Sequence, residues 1–325
     1  MRRKIPFIAA SLLALSVAFV TCGGGGKKGG DNAPTQAVYV AGDNGNSRAT
    51  LWKDAVLQTL TSSSPYSGAF SVYVSGSDVY VAGWEYSMAD DVLRAVYWKN
   101  GNRQQLSSNY SFAYSVYVSG SDVYVAGSED GRSVYWKNGN RQQLTSNGDE
   151  SSAVSIYVSG SNVYVAGYEY TETDDDYSSC AVLWTNGTRR QLSSNDSLAS
   201  SVYVSGSDVY VAGNEDAHAV LWKNGTPQQL TSTSNYYSYA NSVYVSGSNV
   251  YVVGCEDDKN AVLWTNGTRR QLSTRNDSTA NSVYVSGSDV YVAGNEDARA
   301  VLWKNGNRQQ LSTIEDSSAI SVFVK

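Results

Sequence analysis

The chain has 325 residues, of which 41% are apolar and 17% charged, and its formal net charge at neutral pH is −6. This composition is typical of a folded protein with a large core and not of a disordered chain. The acidic balance argues against a nucleic-acid partner, because a phosphate-binding surface needs a net basic face.

The first predicted element is a secretory signal over residues 1–21. Basic residues 2–4 precede an apolar run over residues 5–20, which is shorter than the roughly 20 residues of a membrane span. The stretch AFVTCGGGG that follows resembles a bacterial lipoprotein signal, in which the cysteine, here Cys22, is lipidated and becomes the new N-terminus. The resemblance implies a protein of the bacterial cell envelope, lipid-anchored to a membrane and either surface-exposed or periplasmic. An uncleaved anchor and ordinary secretion are the alternatives.

Residues 22–36 are predicted to form a flexible tether. They are rich in glycine, and a coil of this composition and length has a typical end-to-end distance of about 20 Å. We therefore expect the tether to hold the following domain away from a membrane.

From residue 37 onward the chain repeats one unit. The string SVYVSGSDVYVAG at residues 71–83 recurs with small changes at 115, 155, 201, 242 and 282. A spacing of about 40 residues is typical of a β-propeller blade. Each unit holds four strand-like runs, which read SVYV, DVYVAG, AVLWKN and RQQL in the last full copy, and a propeller blade has four antiparallel strands. Gly-Ser and Asn-Gly pairs between the runs are hairpin signals, and the polar fourth run suits an outer edge strand.

The two ends of the repeat region complete each other. The first unit begins at residue 37 with a second-strand pattern, AVYVAG, and the chain ends at residues 321–325 with a first-strand pattern, SVFVK. The sequence therefore predicts an all-β fold over residues 37–325, a seven-bladed β-propeller of four-stranded antiparallel blades, closed by the C-terminal strand. Seven tryptophans at third-strand positions agree with this count and are assigned to the core: Trp52, Trp98, Trp136, Trp184, Trp222, Trp264 and Trp303.

The unit VYVAG...WKNG...QQL resembles the β-propeller repeat lipoproteins of bacteria. This resemblance covers residue 37 to the end of the chain. It implies the propeller architecture and carries no implied activity. We expect the protein to be a monomer.

One face of the ring is predicted to carry the function. Antiparallel order places the second-to-third and fourth-to-first connections on the same face, and nearly all length variation and most acids fall there. Tyrosine and tryptophan supply large, rigid contact areas at low entropic cost, so this face is predicted to recognise a protein or a glycan. The alternative is a face without a recognition role, on which the acidic residues keep the surface soluble and the tyrosines pack against neighbouring loops. The candidate ligand-facing loop residues are Trp84, Glu85, Tyr86, Tyr168, Tyr170, Asp174, Asp175, Asp176, Tyr236 and Tyr237.

Signals for catalysis and cofactors are weak. His218 is the single histidine, and without an activated serine motif we expect it to be a solvated loop residue. Carboxylates are too abundant for the sequence to select a glycosidase pair. The run at 174–176 could hold calcium but lacks the spacing of a calcium loop, so no cofactor is predicted. Cys180 and Cys255 fall in blades separated by a whole blade, and we do not expect them to form a disulfide.

The leading hypothesis is a membrane-tethered binding propeller that recognises a protein or glycan through its variable acidic and aromatic loop face. No catalytic residue is assigned, and whether the protein is an enzyme stays open. The alternatives are a carbohydrate-active hydrolase or lyase and a structural or assembly scaffold.

Overall fold

The computed structural model describes residues 36–60, 64–145, 150–172, 177–232, 237–275 and 277–325. Their regular structure consists entirely of β-strands. The described part of the chain contains no helix that is long and apolar enough to cross a membrane. Cys22 and the predicted signal and tether up to residue 35 lie outside the described residues.

The strands fall into seven groups along the chain. The first three blades contain β1 (Val38–Asn44), β2 (Ala49–Lys53) and β3 (Val56–Thr59); β4 (Ser67–Ser75), β5 (Asp78–Ser87), β6 (Val92–Lys99) and β7 (Asn102–Gln105); and β8 (Ser111–Ser119), β9 (Asp122–Glu129), β10 (Arg132–Lys137) and β11 (Asn140–Gln143). Blades 4 and 5 contain β12 (Ser151–Ser159), β13 (Asn162–Glu172), β14 (Tyr177–Thr185) and β15 (Thr188–Gln191); and β16 (Ser197–Ser205), β17 (Asp208–Glu215), β18 (His218–Lys223) and β19 (Thr226–Gln229). Blades 6 and 7 contain β20 (Tyr239–Ser246), β21 (Asn249–Glu256), β22 (Asn260–Thr265) and β23 (Thr268–Gln271); and β24 (Ser278–Ser286), β25 (Asp289–Glu296), β26 (Arg299–Lys304) and β27 (Asn307–Gln310). The last strand is β28 (Ser317–Val324).

Each group forms one four-stranded antiparallel sheet, and β28 completes the first. The order in blade 1 is β28-β1-β2-β3, so the last strand of the chain is its innermost strand. The main chains of Ala37 and Lys325 exchange two hydrogen bonds, of 2.8 and 3.0 Å. The seven-bladed propeller with C-terminal closure that the sequence predicts is confirmed.

The core of the propeller lies between neighbouring blades. In one cluster, Ala41 and Leu51 of blade 1 pack with Val72, Val81 and Trp98 of blade 2. The seven third-strand tryptophans are at most 1% exposed, which confirms that they belong to the core. Every residue of the seven fourth strands, in contrast, is exposed, as expected for an outer edge.

The innermost strands are longer than the SVYV run indicates. In blade 2 the strand begins at Ser67, four residues before Ser71, and the pairing with β5 shifts between Ala69 and Ser71. A β-bulge leaves one residue without a partner, here Phe70, and bends the strand. The same bulge occurs in all seven blades. The four residues before SVYV therefore belong to the strand and not to the connection that precedes it.

The final glycine of VYVAG is explained by this bulge. A Cβ placed on Gly83 would collide with the carbonyl oxygen of Gly68 on the bulged strand. Glycine permits such a close approach between two backbones because it has no side chain.

Two rings around the channel hold neighbouring blades together. In the first ring, the serine of each SVYV accepts a hydrogen bond from the main-chain N–H of the next blade, as Ser282 does from Val322 at 3.2 Å. All seven such bonds are present, at 3.1–3.3 Å. In the second ring, the aromatic residue of each SVYV contacts its two neighbours, with ring centroids 4.7–5.0 Å apart. Its members are Tyr73, Tyr117, Tyr157, Tyr203, Tyr244, Tyr284 and Phe323.

Candidate functional site

The seven bulge residues surround a cavity in the central channel. Each lies directly before the serine of the first ring, on the side of the channel that faces the variable connections. The cavity has a volume of about 470 Å³, and its described lining residues are all uncharged. We call the following set the channel mouth: Phe70, Tyr114, Val154, Ser200, Asn241, Asn281 and Ile320.

The channel mouth has two chemically different halves. Blades 1 to 4 contribute Ile320, which lies in the closing strand β28, and Phe70, Tyr114 and Val154, and all four side chains are apolar or aromatic. The other three blades contribute hydroxyl and amide groups from Ser200, Asn241 and Asn281. A ligand in the cavity would therefore meet the rings of Phe70 and Tyr114 on one side, and neutral hydrogen-bonding groups together with the ring of Tyr239 on the other.

Four side chains form a continuous aromatic cluster on the first side, which we call the aromatic arc: Trp84, Phe112, Tyr114 and Phe70. Trp84 meets Phe112 edge-on with centroids 6.4 Å apart, Phe112 stacks on Tyr114 at 5.7 Å, and Tyr114 contacts Phe70 at 5.4 Å. Burial raises the pKa of Tyr114, and its hydroxyl interacts with the side chains of Ser128 and Ser152. The arc is thus held in place by packing and by polar contacts beneath it.

The polar half is also held in place. Asn241 donates from Nδ2 to the carbonyl oxygen of Ala280 at 3.0 Å, and Asn281 donates from Nδ2 to that of Ala319 at 2.9 Å. Each amide thus has a fixed orientation, with its donor engaged by the next blade. The carbonyl oxygen of each side chain accepts no hydrogen bond from the described residues, which leaves an acceptor for a ligand hydroxyl.

The first group of predicted site residues is divided between different environments. Trp84, Glu85 and Tyr86 lie in strand β5 and not in a loop, because the second strand continues past VYVAG as far as Ser87. Successive residues of a strand point to opposite faces, so Glu85 points away from the face that carries Trp84. Of the three residues, Trp84 alone joins the aromatic arc. Glu85 is 4% exposed and forms an ion pair with Arg103. The hydroxyl of Tyr86 donates to Asp91 at 2.6 Å.

The second group lies farther around the ring. Tyr168 and Tyr170 lie in β13 with their rings 5.1 Å apart, and Tyr168 is near enough to Tyr114 to contribute to raising its pKa. Tyr237 is 60% exposed. Asp174, Asp175, Asp176 and Tyr236 lie outside the described residues, so their prediction as ligand-facing residues stays a prediction.

None of the seven channel-mouth residues is among those predicted from the sequence, although a signal was present. The residue between the invariant alanine and serine of A-x-SVYV is of six different types in the seven blades, while both neighbours are constant. A variable position inside a constant strand indicates a side chain that the frame does not need.

The expectation that His218 is a solvated loop residue is wrong. It begins strand β18, it is only partly exposed, and its Nε2 atom is buried without a hydrogen-bond partner in the described residues. The reason is that AHAVLWK is strand from the histidine onward. Cys180 and Cys255 are free, and burial raises the pKa of both thiols. Among the described residues, no group of three His, Cys, Asp or Glu side chains could hold a metal ion.

Comparison with known proteins gives likenesses of fold. No protein-family model and no curated protein matches the chain. The computationally designed Ika8 protein is 17% identical over 90% of this chain and 82% of its own, with a TM-score of 0.46. An extracellular domain assigned to the hybrid two component system BT4673 of B. thetaiotaomicron is 10% identical over 86% of this chain and 33% of its own, with a TM-score of 0.46. The uncomplexed acylaminoacyl peptidase of Pyrococcus horikoshii is 12% identical over 75% of this chain and 46% of its own, with a TM-score of 0.49.

Proposed function

We propose that this propeller binds a neutral saccharide at its channel mouth. One observation carries the proposal: a single cavity combines an aromatic wall with a wall of amide and hydroxyl groups. Aromatic rings stack on the apolar faces of sugar rings, and fixed amides and hydroxyls bind sugar hydroxyls. Neutral sugars are favoured over acidic ones because the lining is uncharged and the chain as a whole is acidic.

The size of the cavity favours a glycan over a protein ligand. About 470 Å³ falls within the range of small-molecule pockets, roughly 300–1,000 Å³. A protein partner would instead need a contact surface of about 800 Å² on each side. A glycan chain end of one or two sugar units fits the cavity better than a protein surface does.

The test is a glycan array of neutral and acidic saccharides probed with the full-length chain. We expect neutral saccharides to bind, and Phe70→Ala and Tyr114→Ala to weaken binding by about tenfold each. Tyr237→Ala removes an exposed aromatic ring that does not line the cavity, and it serves as the matched control. The absence of any saccharide ligand, or equal losses in all three variants, contradicts the proposal. Release of cleaved sugar during incubation would favour the hydrolase or lyase alternative.

The proposal includes a lipid anchor at Cys22. It rests on the signal-like residues 1–21 and on the AFVTC sequence, which together indicate lipidation in the bacterial envelope. In cells, we expect a labelled fatty acid to be incorporated into the wild-type chain and not into Cys22→Ser. Equal labelling and equal membrane association of the two proteins contradict the anchor without affecting the saccharide site.

A further inference from the structure

Five blades share one internal ion pair. The glutamate two positions after VYVAG or its equivalent points across the third strand to an arginine of the fourth strand. The arginine Nε or a terminal nitrogen contacts the glutamate Oε2 in each case. The pairs are Glu85–Arg103, Glu129–Arg141, Glu169–Arg189, Glu256–Arg269 and Glu296–Arg308.

Four of these arginines also donate to a glutamine of their own strand. Arg103 donates to Gln105 Oε1 at 3.0 Å, and Arg141 donates to Gln143 Oε1 at 3.2 Å. The glutamate Oε2 and the glutamine Oε1 thus form a pair of acceptors, which we call the guanidinium seat. A guanidinium group suits such paired acceptors because it is planar and carries several N–H donors.

Blade 5 keeps this seat and lacks its arginine. Pro227 pairs with Trp222 in the register position where Arg103 pairs with Trp98 in blade 2. Glu215 is retained, and so is Gln229. Blade 1 differs, because it has lost both members of the pair: Asn44 replaces the glutamate and Leu57 the arginine.

The change leaves the carboxylate of Glu215 without a cation among the described residues. Glu215 Oε1 accepts a hydrogen bond from Ser193, as the equivalent atom of Glu296 does from Ser273 at 2.5 Å. In five other blades the equivalent glutamate Oε2 atom forms an ion pair with an arginine. The Oε2 atom of Glu215 has no ion-pair partner in the described residues. The place of the arginine is a cavity of about 460 Å³ lined by Glu215, Asp216, His218, Val220, Pro227 and Gln229.

We propose that this blade 5 cavity binds a guanidinium group supplied from outside the chain. The incoming group takes the place of the missing arginine, with Glu215 Oε2 as the charged acceptor and Gln229 Oε1 as the second acceptor. His218, whose Nε2 atom is buried without a hydrogen-bond partner in the described residues, lines the same cavity. The site lies against the outer strand of blade 5 and is independent of the channel mouth, which the innermost strands line.

The guanidinium could come from a small molecule or from an arginine side chain of a peptide, and the test distinguishes the two. Full-length protein is titrated with agmatine, with an arginine-containing peptide and with the same peptide carrying citrulline, and binding is followed by saturation-transfer NMR. Citrulline keeps the shape and removes the charge, so we expect its peptide to bind at least about tenfold more weakly. Binding of agmatine alone indicates a small-molecule ligand, and tighter binding of the peptide indicates a protein partner.

Pro227→Arg is the decisive variant. It restores the arrangement that five other blades already contain, so we expect it to fold, to unfold at a higher temperature and to lose guanidinium binding. Pro227→Ala leaves the cavity open and should bind as the wild type does. Glu215→Gln should weaken binding at least about tenfold. The proposal is overturned if the wild type binds no guanidinium compound at millimolar concentration, or if Pro227→Arg binds as tightly as the wild type.

Discussion

The indole of Trp84 lies against Gly68, the residue that faces it across strands β4 and β5. A Cβ on Gly68 would stand 2.5 Å from the indole Nε1 atom, well inside van der Waals contact. The glycine thus provides the space in which the first member of the aromatic arc rests. In the same position, blade 3 carries Phe112 opposite the small Ser128, so bulk is exchanged between the two strands.

Gly68→Ala is therefore expected to displace Trp84 toward the solvent. The other seven tryptophans are at most 1% exposed, so acrylamide quenching of fluorescence reports almost entirely on Trp84. We expect quenching to increase in the variant and saccharide binding to weaken. Thr279→Ala, at the equivalent position of blade 7, is the control and should leave quenching unchanged. Unaltered quenching in Gly68→Ala would show that the indole does not depend on this glycine.

The serine ring makes a testable contribution to stability. Ser282→Ala removes the acceptor for the N–H of Val322, a residue of the closing strand that is 4% exposed. Leaving a buried donor unsatisfied costs about 1–3 kcal/mol, and we expect the free energy of unfolding in urea to fall by that amount. Ser286→Ala changes a serine at the end of the same strand that lies outside the ring, and it should cost less than about 0.5 kcal/mol. Equal losses in the two variants would deny the ring a stabilising role.

The second ring around the channel, which consists of seven aromatic side chains, contains one phenylalanine and six tyrosines. Burial raises the pKa of Tyr117, so its hydroxyl stays protonated at neutral pH, and it interacts with the hydroxyls of Tyr73 and Tyr157. Tyr157→Phe removes one hydroxyl from the chain of contacts, and we expect it to lower the free energy of unfolding by about 1 kcal/mol. Phe323→Tyr is the matched reverse change, and it should be neutral or stabilising. A destabilisation by Phe323→Tyr as large as that by Tyr157→Phe would show that the hydroxyls do not support one another.

Acid is expected to weaken the propeller at four hairpins. In each hairpin an aspartate accepts hydrogen bonds from a lysine and from an asparagine. Both bonds lower the pKa of the aspartate below its usual value, and the bond from the lysine has the larger effect. A carboxylate whose pKa is lowered by folding stabilises the folded state above the unfolded pKa of about 4, and this contribution is lost as the pH falls through the lower, folded pKa. The four aspartates are Asp78, Asp122, Asp208 and Asp289.

Blades 4 and 6 supply the design for the test. They carry Asn162 and Asn249 at the aspartate position and threonine in place of the lysine. Asn162 and Asn249 still accept a hydrogen bond of 2.8 Å from the asparagine of the next turn, Asn186 and Asn266 respectively. We expect the variant with all four aspartates changed to asparagine to lose less stability than the wild type between pH 5 and pH 2. Urea unfolding at each pH measures this, and parallel pH profiles for the two proteins would refute it.

The repeat made the architecture predictable, because period, turn residues and the incomplete first and last units each constrain the same ring. Trp98 and its equivalents could be assigned to the core for the same reason. The site was less predictable. Glu85 and Trp84 are neighbours in sequence and were grouped together, but strand alternation sends one into an ion pair and the other into the aromatic arc.

The remaining residues of the site depend on contacts that one unit of the repeat does not reveal. Phe70 enters the channel because the strand bulges there, and a bulge is recognised from pairing and not from hydrophobic periodicity. The empty seat in blade 5 becomes visible only when Glu215 is compared with five glutamates that hold an arginine. Pro227 looks unremarkable in the sequence until its register is known.

The bulge also allows the residues that contact a ligand to change without a change in the fold. A bulge residue has no opposite partner in its sheet, so exchanging Phe70 or Asn281 for another side chain leaves the register and both rings of blade contacts as they are. New ligand preferences can therefore arise one substitution at a time, at seven positions around one opening, while the chain continues to fold as before. Duplication of a blade brings with it one more contact point whose chemistry can drift independently of the others.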